Sequence, residues 1–134
     1  MKPFVLYNAS SVSDAATQLA KGKAAVLAGG TDLLTTMKSM CTPAAAVDTL
    51  VNVKTIPNLD YIKEEGGMLK IGANTKLTTI AKSDVVKSKY TALAEAAAKV
   101  ASPQIRNMGT IAGNIAQKNS PWYFRADGNQ ITFD

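Results

Sequence analysis

The chain has no histidine and a single cysteine, Cys41, among 134 residues. The first absence removes imidazole general-base catalysis and histidine metal ligation. The second removes any internal disulfide and fits a reducing compartment, so a cytoplasmic location is expected. Together they argue against a zinc or iron–sulfur site built within this chain. Arginine is nearly absent too, at Arg106 and Arg125 only. The net charge of +5 rests on scattered lysines, among them Lys21, Lys38, Lys54, Lys76 and Lys99. They form no stripe with interleaved aromatics, so a nucleic-acid groove is not expected and a solvated lysine-rich surface is. No apolar run approaches ~18 residues, so no membrane span is expected. Met1-Lys2-Pro3-Phe4 has no long apolar stretch behind its charge and does not read as a signal peptide.

What remains is ordinary for a folded domain: 46% hydrophobic and 19% charged residues, in a chain long enough for one core. Phe4–Tyr7 reads as a strand. Ser11 or Ser13 then caps a helix through Asp14, Ala15, Leu19 and Ala20, with Gly22 just past its end. Ala24–Leu27 reads as a small-residue strand, and Thr31 or Asp32 caps a short helix bearing Leu33, Leu34 and Met37. That order predicts parallel strands joined by a crossover. Thr49–Val53 is the next strand. Tyr61–Lys63 and Met68–Ile71 flank Glu64–Gly67, read as a four-residue hairpin loop. Helical turns follow at Leu77, Ile80 and Ala81 and again from Ser83-Asp84. A longer helix is predicted from Tyr90 to Ala101, ended by Ser102-Pro103. Its Ala94–Ala98 face predicts tight helix packing. Further on, Asp127-Gly128-Asn129 reads as a turn and Ile131–Phe133 as the start of a strand.

Two glycine-centred segments lie about eighty residues apart: Val26-Leu27-Ala28-Gly29-Gly30-Thr31-Asp32-Leu33-Leu34 and Ile105-Arg106-Asn107-Met108-Gly109-Thr110-Ile111-Ala112-Gly113-Asn114-Ile115. Glycine removes the Cβ and permits positive φ, so main-chain N–H groups can approach a phosphate closely. In the first, Gly29, Gly30 and Thr31 supply such a turn, and Asp32 is expected to bend back onto backbone N–H groups, because it would repel phosphate if it pointed inward. In the second, Gly109, Ala112 and Gly113 allow close approach, while Thr110 and Asn114 add polar side chains. Arg106 is placed either to neutralise phosphate or to brace the loop. The first segment is neither a P-loop nor a Gly-x-Gly-x-x-Gly turn. Either could be a plain structural turn; two of them suit a ligand with two phosphates.

The first segment, followed by Met37-Lys38, resembles the first FAD loop of the flavoprotein (medium) subunits of the molybdenum hydroxylases, the xanthine dehydrogenase and carbon monoxide dehydrogenase family. Ile71-Gly72-Ala73-Asn74-Thr75 resembles that family's Ile-Gly-Ala-x-Thr segment, and Ala101 to Ile115 resembles its second FAD loop. Phe4 to Ala15 is similar to the family's opening. The resemblance covers about residues 3–115. It implies an α/β (α+β) FAD-binding domain of the vanillyl-alcohol oxidase-like type: an N-terminal parallel β-α-β subdomain and the start of an antiparallel one. It implies non-covalent FAD on Leu27, Ala28, Gly29, Gly30, Thr31, Asp32 and Leu33 and on Ala101, Gly109, Thr110, Ala112, Gly113 and Asn114. No residue here is then expected to be a catalytic acid or base, or a metal ligand, because the flavin carries the chemistry. The implied partners are an iron–sulfur subunit and a large molybdopterin-binding subunit, with electrons passing through flavin to NAD or another acceptor.

The same resemblance makes residues 1–134 an incomplete FAD-binding domain, without the C-terminal half and small C-terminal domain of the family. Where the family often has a Pro and then a cofactor-holding Asp, Ala116-Gln117-Lys118-Asn119-Ser120-Pro121-Trp122 follows the second loop, and Asp127 is a weak match. Trp122-Tyr123-Phe124-Arg125 is similar to one branch of the family, though without its cysteines. These aromatics are placed to contact flavin or a partner, or to serve as core or interface. Cys41 reads as inert. The alternative function is a structural or assembly partner that no longer binds FAD.

Overall fold

The computed structural model describes residues 2–39 and 47–117. Cys41, the Trp122–Arg125 run, Asp127 and the expected turn and strand near the C-terminus lie outside them.

The first half is a parallel α/β layer. Strands β1 (Val5–Asn8), β2 (Ala24–Leu27) and β3 (Thr49–Asn52) form a sheet in the order β1-β3-β2, every pair parallel. Helix α1 (Val12–Ala20) joins β1 to β2. Its start is the one the sequence offers: Ser11 is the N-cap and its hydroxyl accepts from the Asp14 N–H at 3.0 Å. Gly22, just beyond its end, takes φ +80° and turns the chain toward β2.

The central strand explains the layering. Leu50 and Val51 are neighbours on β3, so they point to opposite faces, and both are fully buried. Val51 packs with Ala9, Ala15 and Ile56, Leu19 being close by, on the α1 side. Leu50 packs with Leu27, Met37 and Val47 under α2 (Leu33–Ser39). The chain therefore leaves β2 at Leu27, held in the core under α2, and the first glycine segment begins at that fixed point.

The second half is an antiparallel hairpin covered by short helices. Strands β4 (Ile62–Glu65) and β5 (Met68–Ile71) pair from Ile62↔Ile71 to Glu65↔Met68. The connection is a two-residue Gly66-Gly67 turn rather than the four-residue loop expected. Both glycines have positive φ, +60° and +74°, the geometry that lets a two-residue turn follow strand twist, so Glu64 and Glu65 stay in the ladder. Helices α3 (Leu77–Lys82), α4 (Asp84–Lys89) and α5 (Thr91–Lys99) pack on it through Ile80, Val86, Ala94 and Ala97. Ala94 and Ala97 let α5 approach α3 closely, as the alanine-rich sequence suggested.

Helix α5 stops at Lys99, two residues before its expected end. Val100 is extended and Ala101 has φ +40°. Ser102-Pro103 then opens a helix as well as following one: Ser102 caps α6 (Pro103–Met108) by accepting from the Ile105 N–H at 3.3 Å, with Pro103 in its first turn. A further helix, α7 (Ile111–Ala116), is capped by Thr110. The second glycine segment is thus two short helices meeting at Gly109-Thr110, not one open loop.

Candidate functional site: two main-chain segments in contact

The two segments touch. Gly29 sits against the end of α6, where a Cβ would overlap the Met108 carbonyl oxygen and lie 2.9 Å from Gly109 Cα. From the other side, a Cβ on Gly109 would lie 3.8 Å from Thr31 Oγ1. Gly30 carries the chain onward with φ +74°, so only glycine meets the turn without strain.

A bracket of main chain from Ala73 to Leu77 holds this junction. Leu77 N–H donates to Gly109 O at 3.0 Å, Ile111 N–H to Thr75 O at 2.9 Å, and Ala112 N–H to Ala73 O at 3.2 Å. Thr75 anchors the bracket: fully buried, its hydroxyl donates to Tyr61 O at 3.0 Å and accepts from Tyr61 N–H at 3.1 Å. Asn74 ties it to the parallel sheet, its Nδ2 donating to Val53 O at 2.8 Å. Gly72, just before the bracket, allows Leu59 and Tyr61 to close over it; a Cβ there would overlap the Leu59 carbonyl oxygen. The sequence marked Gly72–Thr75 by resemblance but gave it no role.

The amides sort into paired and unpaired. Among the described residues, the N–H groups of Ala28, Gly29, Gly30 and Thr31 donate to no protein acceptor. Neither does that of Thr110, a residue only 5% exposed. Buried main-chain donors rarely go unpaired, so an orphan beside a run of four marks a place for an acceptor that the described residues do not supply. Elsewhere in the second segment the donors are engaged: Gly109 N–H with Ile105 O, Gly113 N–H with Thr110 Oγ1 and Asn114 N–H with Thr110 O. Ala112 is held by Ala73, as above. What Ala112, Gly113 and Asn114 offer a ligand is closeness and, at Asn114, a carboxamide.

Of the remaining candidates, Leu27 is buried in the core and positions the segment after it. Leu33, the first residue of α2, packs against the same cluster. The Asp32 carbonyl accepts from Thr36 N–H at 2.9 Å. Ala101 lies one helix away, at the α5–α6 corner. There Arg106 resolves its two readings: its Nη1 donates to Val100 O at 2.8 Å and to Ala101 O at 3.0 Å, so it braces the corner. A pyrophosphate asks for several N–H donors converging without intervening side chains. The donor set of Ala28–Thr31 and Thr110, on two segments in contact through glycine, fits that group.

Comparison with known proteins agrees with this geometry. Residues 2–131 match the family described as the FAD binding domain in molybdopterin dehydrogenase. The carbon monoxide dehydrogenase medium chain of Hydrogenophaga pseudoflava is 39% identical over 115 residues, covering 84% of this chain and 39% of that protein. The nicotinate dehydrogenase FAD-subunit of Eubacterium barkeri is 34% identical over 119 residues, covering 87% of this chain and 39% of its own length. A solved structure of the Hydrogenophaga pseudoflava carbon monoxide dehydrogenase superposes with a TM-score of 0.79 at 38% identity, over 85% of this chain and 39% of that one. The chain thus spans about two-fifths of the length of the relatives it matches. With the mixed α/β architecture, the parallel sheet and the paired glycine segments all in place, the chain belongs to the family of FAD-binding domains of molybdopterin dehydrogenases.

Proposed function

We propose that this chain is the pyrophosphate-binding portion of the flavin subunit of a molybdopterin-dependent dehydrogenase, and that residues 1–134 form part of one FAD-binding domain. The observation that carries the reading is the run of unpaired amides from Ala28 to Thr31 beside the orphaned amide of Thr110. These five N–H groups would share the negative charge of the two phosphates, and Thr31 Oγ1 stands beside the same junction. Gly29, Gly30 and Gly109 keep side chains out of the approach. FAD, when bound, supplies the redox chemistry. The chain's own part is to bind and orient it, with Leu27 and the Ala73–Leu77 bracket fixing where the amides stand.

The remainder of the reading concerns the assembly. The chain would work beside an iron–sulfur subunit and a large molybdopterin-binding subunit, in the cytoplasm, taking electrons from the clusters and passing them to NAD or another acceptor. No helix among the described residues is long and apolar enough to cross a membrane.

Titration of the purified chain with FAD, followed by flavin fluorescence and absorbance, tests the reading. Saturable uptake of FAD that ADP or pyrophosphate competes away is the expected result. A folded chain that takes up no FAD overturns it and favours the structural or assembly role instead.

A further inference from the structure

The register of the β2–β3 ladder assigns a role to Asn74, a residue outside the set expected to touch FAD. Leu27 is paired with Asn52, and Val53 N–H donates to Leu27 O at 3.1 Å. Donors alternate along a parallel ladder, so the next bond in this register would run from Gly29 N–H to Val53 O. That bond is not made. Both lone pairs of Val53 O are filled instead, one by Asn74 Nδ2 at 2.8 Å and the other by Ile56 N–H at 3.2 Å. Asn74 is itself held in place, its backbone N–H donating to Leu59 O at 2.7 Å, and Ala73 and Thr75 on either side receive the Ala112 and Ile111 amides.

We infer that Asn74 terminates the β2–β3 ladder and so keeps the Gly29 amide available to an anion. Val53 O is the acceptor that Gly29 would otherwise take, since a half-buried main-chain donor pairs when a partner stands in register. Removing the Asn74 carboxamide frees one lone pair of Val53 O, while Ile56 N–H keeps the other, and lets Gly29 N–H add one bond to the β2–β3 ladder. Gly29 then leaves the anion-binding set. Asn74 is therefore a positioning residue, acting on the Gly29 amide through Val53 O. The identity of the ligand rests on the FAD reading; the ladder-ending role does not.

Two variants of the full chain test it. Asn74→Ala removes the donor. Asn74→Asp keeps the shape while its carboxylate, at neutral pH, can only accept. The first readout is amide hydrogen exchange of the chain without FAD, resolved residue by residue by NMR. Gly29 N–H is expected to exchange fast in the parent and at least about tenfold more slowly in both variants, because an unpaired donor has become a ladder bond. The second readout is FAD affinity, expected to weaken by about threefold to tenfold for the loss of one donor. If the substitutions merely loosened the bracket, Gly29 and Ala112 would both exchange as fast as in the parent or faster; that result overturns the proposal. Slowed Gly29 exchange with unchanged FAD affinity overturns the claim that this amide serves the anion. A parent chain that takes up no FAD, with Gly29 still slowed in the variants, overturns the cofactor reading alone and leaves the ladder-ending role established.

Discussion

Gly29 and Met108 leave no room for a side chain between them: a Cβ at position 29 would overlap the Met108 carbonyl oxygen. Both neighbours are main chain, which cannot swing aside as a side-chain tip can. Gly29→Ala is therefore expected to push the two segments apart, costing about 1–3 kcal/mol of stability, as overpacking does. FAD affinity should fall along with it. Thermal unfolding and FAD titration on the same variant check both, and a variant with parental stability and affinity would show that the segments do not meet in solution.

That contact also marks the limit of what the residues disclose in order. The strands and helix of the first half were legible because each carries its own local signal: Ser11 before α1, Gly22 after it, short apolar runs at β2 and β3. The hairpin was legible in kind but not in loop length, since Gly66-Gly67 could close a turn of two residues or of four. Helices α6 and α7 were not legible: the equally short α3 and α4 showed Leu77, Ile80 and Ser83-Asp84 as helical signals, whereas Pro103, Gly109 and Gly113 punctuate α6 and α7 as a loop would. Ser102-Pro103 misled in particular, as the same pair that ends one helix starts the next. At the site, glycines named the right segments. Which of their amides are unpaired depended on Thr75, Asn74 and Ala73, partners far along the chain from the amides they engage or compete with, Ile111, Gly29 and Ala112.

Thr75 should prove costly to replace with a residue of its own shape. Its hydroxyl both donates to and accepts from the Tyr61 backbone in a fully buried position. Thr75→Val keeps the volume and leaves Tyr61 N–H without its acceptor, an expected loss of about 1–3 kcal/mol. Because Thr75 also carries the carbonyl that receives Ile111 N–H, hydrogen exchange at Ile111 should accelerate in the same variant. Unchanged denaturant midpoints would contradict the bracket's assigned role.

The corner between β1 and α1 predicts a pH dependence with two limbs. Asp14 accepts from Ser10 N–H at 2.9 Å and from Tyr7 OH at 2.8 Å, and these bonds hold its carboxyl below the ordinary value of 3.8. The same Asp14 bond, with burial and the carboxylate charge, raises Tyr7 above its ordinary 10.0. A lowered carboxyl contributes stability above the unfolded-state value and loses it as pH falls through the folded one. A raised phenol contributes below its unfolded-state value and loses it as pH rises through the folded one. Stability is thus expected to be flat between the two and to fall at either end. Tyr7→Phe should shrink the alkaline limb, with Lys89, raised by its bond to Glu64, still contributing to it, and leave part of the acid limb, since the Ser10 bonds to Asp14 remain. Denaturant unfolding of both proteins across pH measures this, and an unaltered alkaline limb would contradict it.

Arg106 separates bracing from phosphate binding. Its guanidinium spans two carbonyls, Val100 O and Ala101 O, and Ala101 is held with a φ of +40°, where an L-residue is strained by about 1–2 kcal/mol. Arg106→Ala removes the charged donor that holds this corner and should lower stability by about 1–3 kcal/mol. Arg106→Lys should recover part of that at most, because an ammonium is a single point donor where the guanidinium is a planar fork. Ala101→Gly in the Arg106→Ala background should restore up to about 1 kcal/mol by relieving the strain the arginine offsets. A residue that neutralised phosphate would behave differently: its loss would weaken FAD binding and flatten the salt dependence of that binding. For a brace, the salt dependence of FAD affinity should be the same in parent and variant while the unfolding midpoint falls. A variant with parental stability but a changed salt slope would return Arg106 to the anion site.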